Sequence, residues 1–225
     1  MSEDRQALDA FDGVTRLFPL PNLVFFPHVV QGLHVFEPRY RQLMADSLAT
    51  DRLFSLVLLK PGSDADDDAQ SAIEDVACLG RITEFEKLPD GRYNLRLRGL
   101  ARARILQELP SKKLYRTAKV ELLPDLAPPD LSELKALRKK LAEAVLGRFD
   151  STGQAHGQLK DLFAGEMPLG EVCDVLSYAL PVPLELKQHL LADPGVEQRV
   201  EILYHALTPK PVPANRVFPP QFSPN

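Results

Sequence analysis

The chain has 225 residues, 44% of them hydrophobic and 26% charged, enough to bury roughly 70% of its unfolded surface in one or two compact domains and too apolar for disorder throughout. Twenty prolines against twelve glycines, no tryptophan and two cysteines exclude a collagen-like repeat and a disulfide-stapled scaffold. The formal net charge of −4 is unevenly spread: residues 1–80 hold six Lys/Arg and thirteen Asp/Glu, residues 81–119 eleven and four, and the remainder ten and fourteen, which gives −7, +7 and −4.

Residues 1–13, MSEDRQALDAFDG, are polar and acidic where a secretory leader would be basic and then apolar, so a flexible N-terminus and a cytoplasmic address are expected. Leu17 to Leu20 and Leu23 to Phe26 read as short strands punctuated by Pro19, Pro21 and Pro27, and this pattern argues against parallel packing in a large sheet. After Gly32, residues Leu33 to Phe36 form another strand. Glu37-Pro38 then opens a helix to about Leu48, with Pro near N1 and a stripe of Tyr40, Leu43, Met44 and Leu48 that lays it across the sheet. The aliphatic run Leu56 to Leu59, inside the strand Leu53 to Leu59, is far below the roughly 20 residues of a membrane span.

The stretch SDADDDAQS that follows Gly62 has four Asp and nothing to bury, so it reads as a loop. Val76 to Leu88 and Arg92 to Leu109 are long strands joined at Pro89-Asp90-Gly91, a strong hairpin signal. Tyr93, Leu95 and Leu97 alternate with Arg92, Asn94, Arg96 and Arg98, as a half-buried strand requires. Gly99 interrupts the run as a bulge would. Tyr115 to Leu123 completes the β region of six to eight strands, residues 14–123.

Three prolines and two aspartates mark a linker at Pro124 to Asp130, and residues 124–207 read as a helical bundle. Asp130 caps a helix to about Phe149. Shorter helices follow at about 158–164, 169–179 and 183–191, and a last one starts at Asp193-Pro194. The tail from 208 to 225 is proline-rich and extended.

Local signatures of catalysis are missing. No glycine is followed by Lys, and there is no GxGxxG, GxSxG or HExxH, which argues against nucleotide hydrolysis and the commonest hydrolase sites. His28 and His34 have no cysteine at ligand spacing, and Asp64, Asp66 and Asp68 lack the Gly and the terminal Glu of a calcium loop. No metal or cofactor is expected. Cys78 and Cys173 read as small core hydrophobes.

The segments LFPLPNLVFFPHVVQGLHVFEPRYRQLMADSL and DRLFSLVLL, followed by LGRITEFEKLPDGRYNLRLRGLARARILQEL, resemble the N-terminal substrate-recognition domain of the Lon protease family. The resemblance covers about residues 14–207. It implies an α+β fold, a PUA-like mixed β pseudobarrel with one crossing helix followed by a C-terminal α-helical bundle. It also implies a stand-alone, non-catalytic polypeptide-recognition module, since neither the ATPase nor the peptidase of full-length Lon is encoded here. The expected partners are unfolded or extended polypeptide segments and a separate protease or chaperone.

The residues expected to carry polypeptide binding are Phe26, His28, Glu37, Arg39 and Tyr40, at the junction of the early strands with the first helix. The alternative is RNA binding: Arg92, Arg96, Arg98, Arg102 and Arg104 share one parity and would line one face of a regular strand. A third, weaker alternative is a small-molecule site in the cleft between barrel and bundle.

Overall fold

A computed structural model describes residues 3–62, 71–151 and 153–208. The aspartate-rich stretch with Asp64, Asp66 and Asp68, expected from sequence to be a loop, and all but the first residue of the proline-rich tail lie outside the described residues. The chain runs α1 (Glu3–Asp9), β1 (Val14–Leu20), β2 (Val30–Val35), α2 (Pro38–Leu48), β3 (Leu53–Leu58), β4 (Val76–Lys87), β5 (Tyr93–Leu109) and β6 (Thr117–Leu123). Five helices follow, α3 (Leu131–Leu146), α4 (Gln154–Ala164), α5 (Leu169–Ala179), α6 (Leu184–Ala192) and α7 (Val196–Leu207).

Strands β5, β4, β3, β1 and β6 are neighbours in that order, and β6 pairs back onto β5, so five strands close a ring. The long strand β5 makes this possible. One of its edges is shared with β4, while the other meets β2 over Tyr93–Arg98 and then β6 over Arg102–Leu109. Strand β2 is therefore a flap on the outside of the ring.

One set of alternating residues, among them Leu17, Val57, Ala77, Leu79, Ala103, Ala118 and Val120, draws on every ring strand and packs together as one cluster. That places these mostly small side chains inside the ring. The opposite parity, including Phe18, Phe54, Leu56 and Cys78, packs outward with α2 and the helices into a second, larger core. The bundle thus shares its core with the barrel wall.

Three sequence expectations are corrected. Residues 3–9 form α1: Ala7, Leu8 and Phe11 pack against the cluster inside the ring, and Arg81 holds Asp4 at 2.6 Å and Glu3 at 3.0 Å. Leu23 to Phe26 is not a strand; Val24, Phe25 and Phe26 are buried in a loop that plugs the larger core. Strand β1 pairs in parallel with β3, Leu17 opposite Ser55 through Leu20 opposite Leu58. The β2–α2 segment supplies the long crossover that a parallel pair needs. Pro19 is compatible with this because Leu17 N–H, of the same parity, donates to Arg116 O, so Pro19's missing N–H faces the side where β6 pairing has already ended at Arg16.

Helix α2 lies over the ring as its apolar stripe requires. Tyr40 stacks on Phe18 with ring centroids 3.8 Å apart and Tyr115 Oη donates to Asp46 Oδ2 at 2.6 Å. The Pro89–Gly91 turn is a hairpin with Gly91 at φ 84°, a conformation that favours glycine. Asp130 accepts from Ser132 N–H at 2.8 Å and caps α3. The last helix begins two residues later than its sequence suggests: Asp193 Oδ1 instead accepts from the N–H of Gly195, the residue at its N-cap. Among the described residues no helix is long and apolar enough to cross a membrane.

Candidate functional site

The segment from His28 to Arg39 starts at a backbone feature that its sequence hides. His28 sits at φ 65°, its N–H donates to Gly99 O at 2.9 Å, and Gly99 N–H donates to Val29 O at 2.9 Å. His28 and Val29 thus oppose the single residue Gly99, the geometry of a bulge. A side chain at Gly99 would meet the Phe26 carbonyl oxygen at 2.1 Å, so only glycine lets the buried loop come this close.

The bulge sets the phase of β2. With Val29 and Gly99 as a hydrogen-bonded pair and the register Gln31–Leu97, Leu33–Leu95 and Val35–Tyr93, the bonds to β5 fall on odd residues. The N–H and C=O groups of Val30, Gly32 and His34 point away from β5. Among the described residues β2 has no strand on that side. Even-numbered side chains face solvent, and Val30 and Phe36 are 44% and 60% exposed. Helix α5 anchors this part of the chain: Tyr178 Oη donates to Gln31 Oε1, and His28 Nδ1 lies 3.5 Å from Glu171 Oε2.

The five residues expected to bind polypeptide divide between surface and core. His28 is exposed, and Glu37 and Arg39 are half-buried and paired with each other at 2.6 Å. The Arg39 guanidinium lies over the Tyr40 ring, 4.7 Å from its centroid. Phe26 and Tyr40 are buried in the core. Sequence reading did not single out Val30, Phe36 or the open backbone edge, whose signal would have been the odd-even phase of β2 set by the His28 bulge ahead of it.

The arginines expected to form one nucleic-acid face do not share a face. Between Gly99 and Ala101, opposite Gly80 and Leu79, β5 holds one extra residue, Leu100. The parity therefore reverses, as it must at a bulge. Arg92, Arg96, Arg98 and Arg104 are exposed, but Arg102 is 2% exposed and enters the seam between barrel and bundle. There it pairs with Asp174 of α5, with Asp125 at 3.0 Å and with the Leu191 carbonyl at 3.0 Å. Arg199 of α7, also fully buried, reaches Asp174 at 2.5 Å and Asp125 at 2.7 Å. Two guanidiniums and two carboxylates make a neutral quartet. Burial pushes the Asp174 carboxyl up, while Arg102 and Arg199 pull against it.

The seam also holds a cleft of about 600 Å³ beside α6. Its Gln188 Nε2 donates to Val76 O at 2.9 Å, its Lys60 pairs with Asp75 at 3.2 Å, and the buried Gln188 Oε1 has no hydrogen-bond partner among the described residues. Burial pushes the Cys173 thiol up to about 12 and Cys78 higher still, which makes both poor nucleophiles at neutral pH. Among the described residues no cluster of three or more His, Cys, Asp or Glu could hold a metal.

Comparison with known proteins agrees with this architecture. The fold is similar to that of the Lon N-terminal domain protein from Xanthomonas campestris, with a TM-score of 0.62 and 25% identity, over 85% of this chain and 97% of that one. It is also similar to the N-terminal domain of Mycobacterium avium complex Lon protease, with a TM-score of 0.66 and 16% identity over 86% and 97%; the second likeness is one of fold. In sequence, the chain is 27% identical over 200 residues to the Lon protease of Anaeromyxobacter dehalogenans, covering 88% of this chain and 23% of that protein. The figures for Lon protease 2 of Myxococcus xanthus are 27%, 88% and 24%. The chain thus spans about a quarter of the length of these relatives. The model of the ATP-dependent protease La (LON) substrate-binding domain matches residues 14–209. Because that match runs through barrel, seam and bundle alike, the chain belongs to the ATP-dependent protease La (LON) substrate-binding domain family.

Proposed function

We propose that this protein is a non-catalytic polypeptide-recognition module that holds unfolded or extended segments of other chains on the surface running from His28 to Arg39 and acts beside a separate protease or chaperone. The observation that carries this reading is an apolar and polar strip, Val30, His34 and Phe36 with His28 at one end and Glu37–Arg39 at the other, on a domain of a substrate-binding family. Exposed Val and Phe supply apolar contact area, and the Glu37–Arg39 pair supplies polar contacts at its rim. Phe26 and Tyr40 support the site from beneath by fixing the loop and α2.

Fluorescence anisotropy of a labelled, reduced and carboxymethylated unfolded protein at moderate salt tests the reading. The double substitution Glu37→Ala and Arg39→Ala is expected to weaken binding about tenfold, a loss near 1.4 kcal/mol, with an unchanged thermal melt. Unchanged affinity in a folded variant removes the segment from consideration. A steep fall of affinity between low and moderate salt would point instead to phosphate contacts.

A further inference from the structure

We infer that the bound segment is an extended strand that adds to the free edge of β2, with an aromatic or large aliphatic side chain seated opposite Gly32. This rests on the polypeptide-binding reading above and adds to it the mode of binding and the class of segment bound.

The backbone supplies the first part. Val30, Gly32 and His34 each turn an N–H and a C=O away from β5, which is the hydrogen-bonding pattern an incoming strand needs at every second residue. The Gly32 carbonyl already takes a donor: the Gln31 side-chain amide bonds it at 2.6 Å, in the place where a strand N–H would donate. Such a row is an edge that soluble proteins normally protect with charge, proline or a covering element. Among the described residues, Val30, Gly32 and His34 bring no carboxylate, lysine, proline or covering strand to this edge, and Val30 and Phe36 extend apolar surface along it.

The side chains supply the second part. A Cβ added at Gly32 would have nothing within 4 Å. This gap lies in a trough of about 550 Å³ whose lining includes Gly32, His34, Glu84, Asn94 and Arg96. A strand residue opposite a glycine can fill such a gap with a large side chain. A second copy of this chain fits less well. Antiparallel pairing of two β2 strands centred on Gly32 sets glycine against glycine and leaves the trough empty. A distinct, apolar segment satisfies both the backbone and the gap.

The test uses the full chain and a fluorescein-labelled peptide of seven residues, alternating threonine and valine around a central phenylalanine. Two further versions carry backbone N-methyl groups on alternate residues, one version for each parity. Methylation of the parity that faces β2 is expected to weaken binding tenfold or more, and methylation of the other parity less than twofold. Replacing the central phenylalanine by glycine should cost several-fold. In the protein, Gly32→Pro removes an outward N–H without touching the ladder to β5 and is expected to weaken binding about tenfold, while Gly32→Ala keeps the donor and isolates the effect of the added methyl.

Equal effects of both methylation parities overturn strand addition, as does wild-type affinity in a folded Gly32→Pro variant. A concentration-dependent dimer that Gly32→Pro dissociates also overturns it, because the edge then belongs to a second copy. If the carboxymethylated protein binds and the alternating peptide does not, strand addition fails and the broader reading stands. If neither binds, the broader reading fails first.

Discussion

Along β5 and the residue before it, the same side chain meets opposite surroundings on the two sides of Gly99, where Arg102 alone of the five arginines is buried. Arg92, Arg96 and Arg98 stand in solvent, each beside a carboxylate: Asp90 at 2.6 Å, Glu84 at 3.4 Å and Asp4 at 3.7 Å. A few residues on, Arg102 is sealed in the seam with Asp174, Asp125 and Arg199. The difference arises from one extra residue at Leu100 and one close approach at Gly99, not from the arginines themselves. Exposed pairs contribute about 0–1 kcal/mol each. A buried quartet is different in kind: its net worth against an apolar seam is modest, but breaking it strands a charge without water. The lesson is that the +7 of residues 81–119 is not one basic surface, since part of it holds the bundle onto the barrel.

The sharpest way to break this comparison is Arg102→Ala. Asp174 and Arg199 are both fully buried, and removing one guanidinium leaves the remaining three groups with a net negative charge in the seam. Urea unfolding followed by far-UV circular dichroism is expected to show a loss of about 3–5 kcal/mol. Arg102→Lys should recover only part of it, because an ammonium cannot contact Asp125, Asp174 and the Leu191 carbonyl as a planar fork does. A loss below about 1 kcal/mol in Arg102→Ala would mean that water reaches the quartet, and the two halves of β5 would then differ only in degree.

Gly99→Ala attacks the cause of the difference instead of its result. The new methyl would fall 2.1 Å from the Phe26 carbonyl oxygen, and backbone at that distance cannot yield by a rotamer change. Overpacking of this kind costs typically about 1–3 kcal/mol. The variant should also loosen His28 and Val29, whose hydrogen bonds run to Gly99. Hydrogen exchange resolved by residue should therefore accelerate at Gly99 and along β2 before it does in α5 or α7. Uniform acceleration across the chain would show that the loop and the bundle unfold together.

How much of this could be read from the residues follows from the range of the interactions. Helix α2 was legible over Pro38–Leu48 because its signals are local: Pro38 at N1 and the stripe of Tyr40, Leu43 and Met44. The β4–β5 hairpin was legible for the same reason, with Asp90-Gly91 between two alternating runs. The parallel β1–β3 pair was not, since it depends on a crossover of more than thirty residues that leaves no mark on β1 itself. Nor was α1, whose seven residues bury nothing fully and depend on Arg81, more than seventy positions away. At the candidate site, the expected residues mix buried and exposed members that the sequence did not separate. Phe26 and Tyr40 look like binding residues in a strand-to-helix junction until Gly99 and Phe18 show what they pack against. Arg102 was misread because the bulge at Leu100 reverses the parity that follows it, up to a second register shift between Ile105 and Gln107, and periodicity can place a break at Gly99 without saying which way the strand emerges.

The smallest expected effect sharpens the comparison from its other side. Arg96 is 64% exposed in its side chain and its partner Glu84 is 68% exposed, so Arg96→Ala leaves a carboxylate that water solvates fully. No desolvation penalty appears, and the lost attraction is screened at physiological salt over about 8 Å. The change in unfolding free energy should stay within about 0.5 kcal/mol, and added salt should shrink it further. Since Arg96 lies directly opposite Gly32 across the β2–β5 pair, the same variant also widens the trough without altering the free backbone edge. Its peptide affinity should therefore move far less than that of Gly32→Pro. A stability loss above about 1 kcal/mol would place Arg96 with Arg102, as a side chain whose partner the fold depends on, and would remove the contrast between the two halves of the strand.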